Sequence, residues 1–501
     1  MDSLSSNHQD HSHYFVAIDL GSNSFHMLIV RENHGSIEVV DRVKEMVQIA
    51  RGLKNGVLST DAQQRALTCL ACFNERIQEI PRSQVRAVGT KALRAASNAQ
   101  AFLNEAEKTL GIPIQLISGY EEARLVYLGV AQTISHDHRK RLIADIGGAS
   151  TEFVIGQDYQ PSLLESLSMG CVTYTDRYLS NDDGNLVINE KAMANAYLAA
   201  CEELELIRRI YLNEGWDISY GTSGTMKAVA DLMPERTPTG VINLEGIHWL
   251  YNTVVADQAI RFDGIAKARR YVLAAGIAIL KAIFDQLEIT ELHVSPAALK
   301  EGLIFDTIGR LNQHDIRDET IALQQDKYRL DKSQAERVKT TALMLFNQLE
   351  TPTFEGLNPV KILGWAAQLH EVGLTLSHSG YHHHGKYILA NCDLAGFNQY
   401  EQFLLATLVG MHRRKLNTLV FETLNPAHSD AILNMIICLR IATLLNRKRD
   451  TLDTTPTLSR QGELVTLEFD PNWLLANPLT QRSLSQESDY LNRIGMELQI
   501  G

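Results

Sequence analysis

An apolar run that ends on a carboxylate, breaks at a glycine turn and resumes as a second apolar run occurs twice in this chain. The fuller copy is Leu142-Ile143-Ala144-Asp145-Ile146-Gly147-Gly148-Ala149-Ser150-Thr151-Glu152-Phe153-Val154-Ile155. The other runs from Phe15 to Val30. At an offset of 126 residues Asp19 falls on Asp145, Gly21 on Gly147 and Ser24 on Ser150. Alternation and turn chemistry read each copy as a β-hairpin with an acid entering the turn. Such internal self-similarity predicts a duplicated domain. The copies differ at one place: His26 occupies the position of Glu152. Glycines in these turns suit positive φ and leave amide N–H groups open to phosphate oxygens. Carboxylates flanking such a turn suit a hard cation such as Mg²⁺. Two related lobes facing each other would set two phosphate-cradling turns across one cleft.

Other segments carry the same strand–turn–helix device. Val85 to Val88 reads as a strand that opens through Gly89 and Thr90 into a helix holding Arg94. Ile218 to Thr225 adds Gly221, Ser223 and Gly224, and Leu292 to Leu303 is a further junction of this kind. Junctions of this kind aim backbone amides at an anion, with hydroxyls and Arg94 as further donors. Ser118 reads as the cap of a helix whose first turn holds Glu121 and Glu122. Adjacent helical residues stand about 100° apart, so at most one of the two glutamates points into a cleft. The residues alone leave that choice open.

At 501 residues the chain exceeds what one core serves. The expected division is a disordered lead at 1–13, lobes at 14–133 and 134–310, and a helical region at 311–501. Further expectations are strands at Ile37–Val40, Val47–Ala50, Ile112–Ile117 and Glu463–Phe469, and within Leu163–Val172 a strand that ends in the small-residue turn Ser168–Cys171. A net charge of −12 supplies no global field for nucleic acid or an anionic membrane. The longest apolar run, Tyr271 to Leu280, falls short of a membrane span. The polar, His-rich start does not read as a signal peptide. Six cysteines without framework spacing suit a reducing cytoplasm, with Cys69 and Cys72 read as buried thiols within a helix. His370-Glu371 and the histidines at 378, 382, 383, 384 and 412 invite a metal reading. Tyr381 to Gly385 looks turn-like, however, and histidine-rich turns are often simply exposed.

Taken together, these residues resemble the exopolyphosphatase and guanosine pentaphosphate phosphohydrolase family over nearly the whole chain. The resemblance rests on Ala17 to Met27, Ile117-Ser118-Gly119 with Glu121 to Arg124, Asp145 to Glu152, Met169 to Val172, Gly221 to Thr225 and Leu369 to Leu374. It implies an α/β fold of duplicated actin-like (ribonuclease H-like) domains around a cleft, followed by an all-α region like HD phosphohydrolases. It also implies Glu122 as the catalytic base, Mg²⁺ on Asp145 and Glu152, and Asp19 as a supporting acid. Phosphate binders by the same likeness are Gly21, Ser22, Asn23, Ser24, Thr90, Arg94, Gly147, Gly148 and Ser150, joined by the Gly221, Ser223 and Gly224 junction. Cys171 matches a position near the site.

Two departures stand out: Ala297 where the family often has Gly, and Lys300 where it often has Arg. Glu371 in place of Asp speaks against a second active centre in the helical region. The implied reaction is hydrolysis of a terminal phosphoanhydride: pppGpp losing its 5′ γ-phosphate, or inorganic polyphosphate shortened from its end. Gly147 to Ser150, Ser166 to Met169 and the Val30 to Ile37 segment look closer to the pppGpp branch. The His378 to His384 region looks closer to the polyphosphate branch. The expected partner is a small polyanionic substrate, without nucleic acid or membrane, for a cytoplasmic homodimer paired through its helical half. An actin-like kinase or a non-catalytic alarmone sensor are the readings from other classes.

Overall fold

Alternating apolar residues at Val16, Ile18 and Leu20 and at Phe15 and Ala17 make the first strand buried on both faces, as the centre of a covered sheet requires. In the computed structural model β1 (Tyr14–Leu20) pairs antiparallel with β2 (Phe25–Asn33), which pairs with β3 (Ser36–Glu45). A two-stranded ribbon of β4 (Leu53–Lys54) and β5 (Val57–Leu58) follows. On its other side β1 runs parallel to β6 (Val85–Gly89), and β6 to β7 (Ile114–Leu116), giving the order β3-β2-β1-β6-β7.

The second sheet repeats the scheme with β8 (Lys140–Ile146), β9 (Thr151–Gln157), β10 (Gln160–Leu167), β11 (Ile218–Thr222), β12 (Val241–Asn243) and β13 (Glu291–Val294). Its order is β10-β9-β8-β11-β13-β12, in which only β12 lacks a counterpart in the first sheet. The registers repeat too: Asp19 lies opposite His26, and Asp145 opposite Glu152. This is the duplicated actin-like arrangement. The structure describes residues 13–33, 36–134, 137–181, 183–234, 237–261, 267–312, 314–350, 357–416, 421 and 428–501. Residues 1–12 of the expected disordered lead therefore lie outside the described residues.

Contacts divide the chain into two compact units, Met1–Asp315 and Ile316–Gly501. Within the first, the helices Thr60–Ile77 and Ala99–Leu110 cover one face of the first sheet. The helices Gly119–Ala131 and Leu299–Leu311 share a core with residues of both sheets, Ala17 and Leu28 from one and Ile143 and Val154 from the other. These two helices meet backbone to backbone. A Cβ on Gly302 would overlap the carbonyl oxygen of Leu125, and one on Gly129 that of Ala298.

The second unit packs the helices Lys332–Phe346, Pro359–Leu369, Gln399–Met411 and Ser429–Leu445 around one apolar core. Among the described residues Ser429–Lys448 is long and apolar enough to cross a membrane, yet 72% of its most apolar window is buried by its neighbours. The unit is not wholly helical. Thr457–Gln461, Leu464–Glu468 and Glu497–Ile500 form a three-stranded sheet, of which the sequence signalled the middle strand.

Three local expectations fail. Val47–Ala50 is not a strand: Gln48 takes φ 56°, a short helix starts at Ile49, and the amides of Gln48 and Ala50 bond to the carbonyls of Asn23 and Ser22 at 2.8 Å each. Tertiary hydrogen bonds override strand propensity there. Tyr381–Gly385 is the first turn of the helix Tyr381–Asn391, entered through Gly380 at φ 66°. The strand through Leu163 does end where expected, at Leu167 before the small-residue turn, and Cys171 opens a helix, Cys171–Tyr178. Of the C-x-x-C pair, Cys69 is buried but Cys72 is exposed.

The helix crossing gives a direct test. Gly302→Ala forces the two backbones apart, and overpacking of this kind costs about 1–3 kcal/mol or more. Equilibrium urea unfolding should show that loss; an unchanged midpoint would mean that the crossing has slack.

Candidate active site

The β8–β9 hairpin supplies the first turn. The Gly147 amide donates to the Ser150 carbonyl at 2.9 Å, while the Gly147 and Gly148 carbonyls accept from the amides of Cys171 and Val172 at 3.0 and 2.9 Å. Neither glycine takes the positive φ expected from the sequence. Space is what requires them. A Cβ at 147 would stand 3.0 Å from the Ser150 carbonyl oxygen, and one at 148 would stand 3.0 Å from Cβ of Ser22 and 3.3 Å from the amide of Asn23. The two duplicated turns therefore abut, as the repeat predicts. Gly21 is held likewise, with its Cβ position 2.8 Å from the Ser24 carbonyl and 3.6 Å from Asp19 Oδ1. Ser22 and Ser150 are buried, and the Ser24 hydroxyl is engaged with His26 Nε2 at 2.8 Å.

Four carboxyl groups gather at these turns. Asp19 and Asp145 end the two central strands, Glu152 begins β9, and Glu122 comes from the helix Gly119–Ala131. Ser118 caps that helix as expected, accepting from the Glu121 amide at 3.1 Å. Hydrogen bonding distinguishes the two glutamates. Glu121 receives two bonds from Arg124, at 2.7 and 2.8 Å, and is 1% exposed. Glu122 instead faces Arg94, whose Nη1 lies 3.5 Å from its Oε2.

Burial is the chief cause pushing all four carboxyls up. Asp19 reaches about 7, with Lys300 pulling it back and Asp145 adding repulsion. Asp145 reaches about 6, opposed by its strand neighbour Thr222 and by Lys300. Glu122 and Glu152 are raised by burial; repulsion from Glu152 adds to Glu122, and repulsion from Asp145 adds to Glu152. The Ser166 hydroxyl donates to Glu152 Oε1 at 2.9 Å and favours its ionised form. Asp19 Oδ1 is buried without a hydrogen-bond partner.

The remaining expected residues are placed less uniformly. Thr90 is buried at the start of a helix of only four residues, Lys91–Arg94, and Arg94 Nη1 also donates to the Ile117 carbonyl. Thr222 lies beside Asp145 in register, which brings Gly221, Ser223 and Gly224 to the same end of the second sheet. Ser223 takes φ 92° and its hydroxyl is used locally, accepting from the Thr225 amide at 3.1 Å. Gly224 is faced by the Arg269 guanidinium. Cys171 is buried, with the Thr225 hydroxyl 3.8 Å from Sγ, and burial raises its thiol. A thiol kept protonated is a poor nucleophile.

Sequence reasoning missed a group of cations. Lys300, noted only as a departure, acts on Asp19, Asp145 and His26, while Lys44 lies opposite His26 in the β2–β3 ladder. Burial, together with Lys300, Lys44 and Arg269, lowers His26 to about 3, so its imidazole is neutral. Lys91 donates to the Ser168 hydroxyl at 2.8 Å and is drawn toward Glu152 and Glu122. The strand expected at Ile37–Val40 stops short of Lys44, whose place opposite His26 follows from the longer β3.

Among the described residues no three His, Cys, Asp or Glu side chains converge to hold an ion. In the helical unit His370 Nδ1 is spent on the Ala367 carbonyl at 2.7 Å, and Glu371 is bound by Arg449 at 2.6 Å.

Comparisons with known proteins agree with one another. The pattern of the Ppx/GppA phosphatase family matches residues 28–311, and that of Ppx/GppA phosphatase domain III matches residues 316–488. A guanosine-5'-triphosphate,3'-diphosphate pyrophosphatase of Pseudoalteromonas translucida is 37% identical over 495 residues, covering 97% of each chain. One of Vibrio campbellii is 37% identical over 493 residues, 97% of this chain and 98% of that one. The crystal structure of an exopolyphosphatase from Cytophaga hutchinsonii is similar in fold, with a TM-score of 0.52 at 24% identity over 58% of this chain and 96% of that one.

Lys300→Met tests the electrostatics of the cleft. Removing the ammonium withdraws a favourable partner from ionised Asp19 and Asp145, so both carboxyls should titrate higher still. Carboxyl ¹³C NMR titration reads the shift, and unmoved midpoints would show that Lys300 exerts no field on them.

Proposed function

The chain belongs to the Ppx/GppA phosphatase family, and from that premise we propose that it hydrolyses the terminal 5′ phosphoanhydride of pppGpp, giving ppGpp and phosphate. The observation that carries the proposal is the gathering of Glu122, Asp145, Glu152 and Asp19 at two abutting glycine turns. The names of relatives 37% identical over nearly the full chain support the choice of pppGpp.

Phosphoryl transfer asks for an in-line nucleophile and for neutralisation of the transferring oxygens. Glu122 orients a water and takes its proton as the oxygen attacks the terminal phosphorus, and the bridging P–O bond breaks toward the leaving diphosphate end. A carboxylate raised by burial is a stronger base than an exposed one, which suits this task. Arg94 beside it favours the ionised form before attack. The amides of the turns at Gly21–Ser24 and Gly148–Ser150 hold equatorial oxygens, the Gly147 amide being spent on the Ser150 carbonyl, and Lys300, Lys91 and Arg269 offset the remaining charge.

Asp145 and Glu152, with Asp19 as a supporting acid, are the residues that would hold Mg²⁺. The orphaned Asp19 oxygen and the excess of buried negative charge fit a hard cation. Mg²⁺ usually binds one or two carboxylates together with substrate phosphates, a demand that Asp145 and Glu152 meet. When bound, the ion would neutralise phosphate oxygens of the substrate.

The reading keeps 14–133 and 134–310 as the two lobes and 311–501 as an HD-like helical region. It includes a cytoplasmic setting, supported by six unpaired cysteines. It also includes a homodimer through the helical unit, supported by the family resemblance and by exposed Leu376 and Tyr387.

Phosphate release from pppGpp, long polyphosphate and ATP, each with Mg²⁺ and with EDTA, tests the proposal. Mg²⁺-dependent release with the highest kcat/KM for pppGpp is expected; preference for polyphosphate would make the protein an exopolyphosphatase. Glu122→Gln should lower kcat by about 10²–10⁴-fold while leaving the unfolding midpoint intact. Near-normal turnover in that variant would remove Glu122 from the role of base.

A further inference from the structure

Beneath the start of the Gly119–Ala131 helix lies a buried cluster of charges that makes no part of the cleft. Asp306, on the helix Leu299–Leu311, accepts from Arg124 Nη2 at 2.7 Å, from Arg310 Nε at 2.8 Å and from Arg86 Nη1. Arg124 also donates to both oxygens of Glu121, at 2.7 and 2.8 Å. Arg86 reaches Gln115 Oε1 at 3.3 Å. Asp306 is 6% exposed, Arg124 7% and Glu121 1%, so the cluster is sealed from water.

Charges buried in this way hold one geometry strongly, since displacing any member strands another in a medium of low dielectric. Glu121 is thereby turned inward. Its neighbour stands about 100° further round the helix, which sends Glu122 toward Arg94 and Glu152. The backbone contact at Gly302 fixes how far the Asp306 helix stands from the Glu121 helix. The backbone contacts lie at Leu125 and Gly129, whereas nearer the start of the helix the contact is made by the side chains of Arg124 and Asp306. The Ser118 cap alone does not choose between the two glutamates.

We propose that Asp306, through Arg124 and Glu121, is a positioning residue that sets the rotation of this helix start and so aims Glu122 into the cleft. The proposal rests on the reading of Glu122 as the base. Asp306 acts through two intermediates rather than on the reacting atoms. Its loss should therefore lower turnover through Glu122 and leave substrate binding to the turns and cations unchanged.

The test is a double-mutant cycle on the full-length protein with pppGpp and Mg²⁺: Asp306→Asn, Glu122→Gln and the two together, after circular dichroism has confirmed folding. The expected result is at least a ten-fold fall in kcat for Asp306→Asn with KM within two-fold, and no further fall when Glu122 is already Gln. An equal fall in both backgrounds, a change confined to KM, or unchanged kcat would overturn the proposal. If Asp306→Asn does not fold, Glu121→Gln enters the same cycle under the same criteria, because it leaves Asp306 among its three arginines.

A second arm needs no turnover. Glu122→Cys is alkylated with iodoacetamide, with and without Asp306→Asn, and the rate at residue 122 is followed by peptide mass spectrometry. At least a five-fold change in rate supports the clamp, and an unchanged rate overturns it. Should the wild-type protein release no phosphate from pppGpp, the functional reading fails, while this arm still decides the positioning.

Discussion

The backbone contact between the helices Gly119–Ala131 and Leu299–Leu311 governs the first unit. Both helices lie in a core to which both sheets contribute, so the separation of the duplicated halves is set where Gly129 and Gly302 let the chains touch. Close packing makes that distance hard to vary: a methyl group added at either glycine finds no room. The abutting turns at Ser22–Asn23 and Gly148 follow from the same spacing. A cleft that must oppose two amide-lined turns needs its halves held to within a fraction of an ångström, and small residues at a crossing achieve it.

Electrostatics divides the cleft. On one side stand four carboxyl groups, crowded and desolvated enough to be shifted toward neutrality. Around them stand Arg94, Lys91, Lys300 and Arg269, and the neutral His26. A protein with a net charge of −12 repels a polyanion at long range. The local cations stand where an opposing field is needed, inside the cleft, and in the proposed reaction the turn amides and a divalent ion would add to it. That separation of roles also explains the single informative difference between the two repeats. The acid-bearing turn has Glu152, whereas its counterpart has an uncharged imidazole that adds no further negative charge.

Legibility from sequence followed the range of the interactions. Asp19, Asp145 and Glu152 were readable because strand alternation and turn chemistry are local, and the repeat gave an independent check on register. The strand–turn–helix junctions at Gly89 and Gly221 were readable for the same reason. Val47–Ala50 was misread because its amides are claimed by the Ser22–Asn23 turn, a contact that no window of ten residues contains. Tyr381–Gly385 was misread because Gly380 at positive φ starts a helix there rather than completing a loop. The glycines of the hairpin were singled out correctly, but for the wrong physical property: they provide close approach, not positive φ.

By itself the sequence determined the duplicated hairpins, the acids that flank their turns and the resemblance to one family, since all three reside in contiguous residues. The residue pattern itself left open which of Glu121 and Glu122 enters the cleft, and only the resemblance named Glu122. Adjacent residues with the same side chain carry no local signal to separate them. The tertiary structure separates them: Arg124 binds Glu121 and is itself bound by an aspartate 182 residues further along the chain. It likewise decided that Lys300 serves the acids of both repeats, because only folding brings Asp19 and Asp145 under one ammonium group.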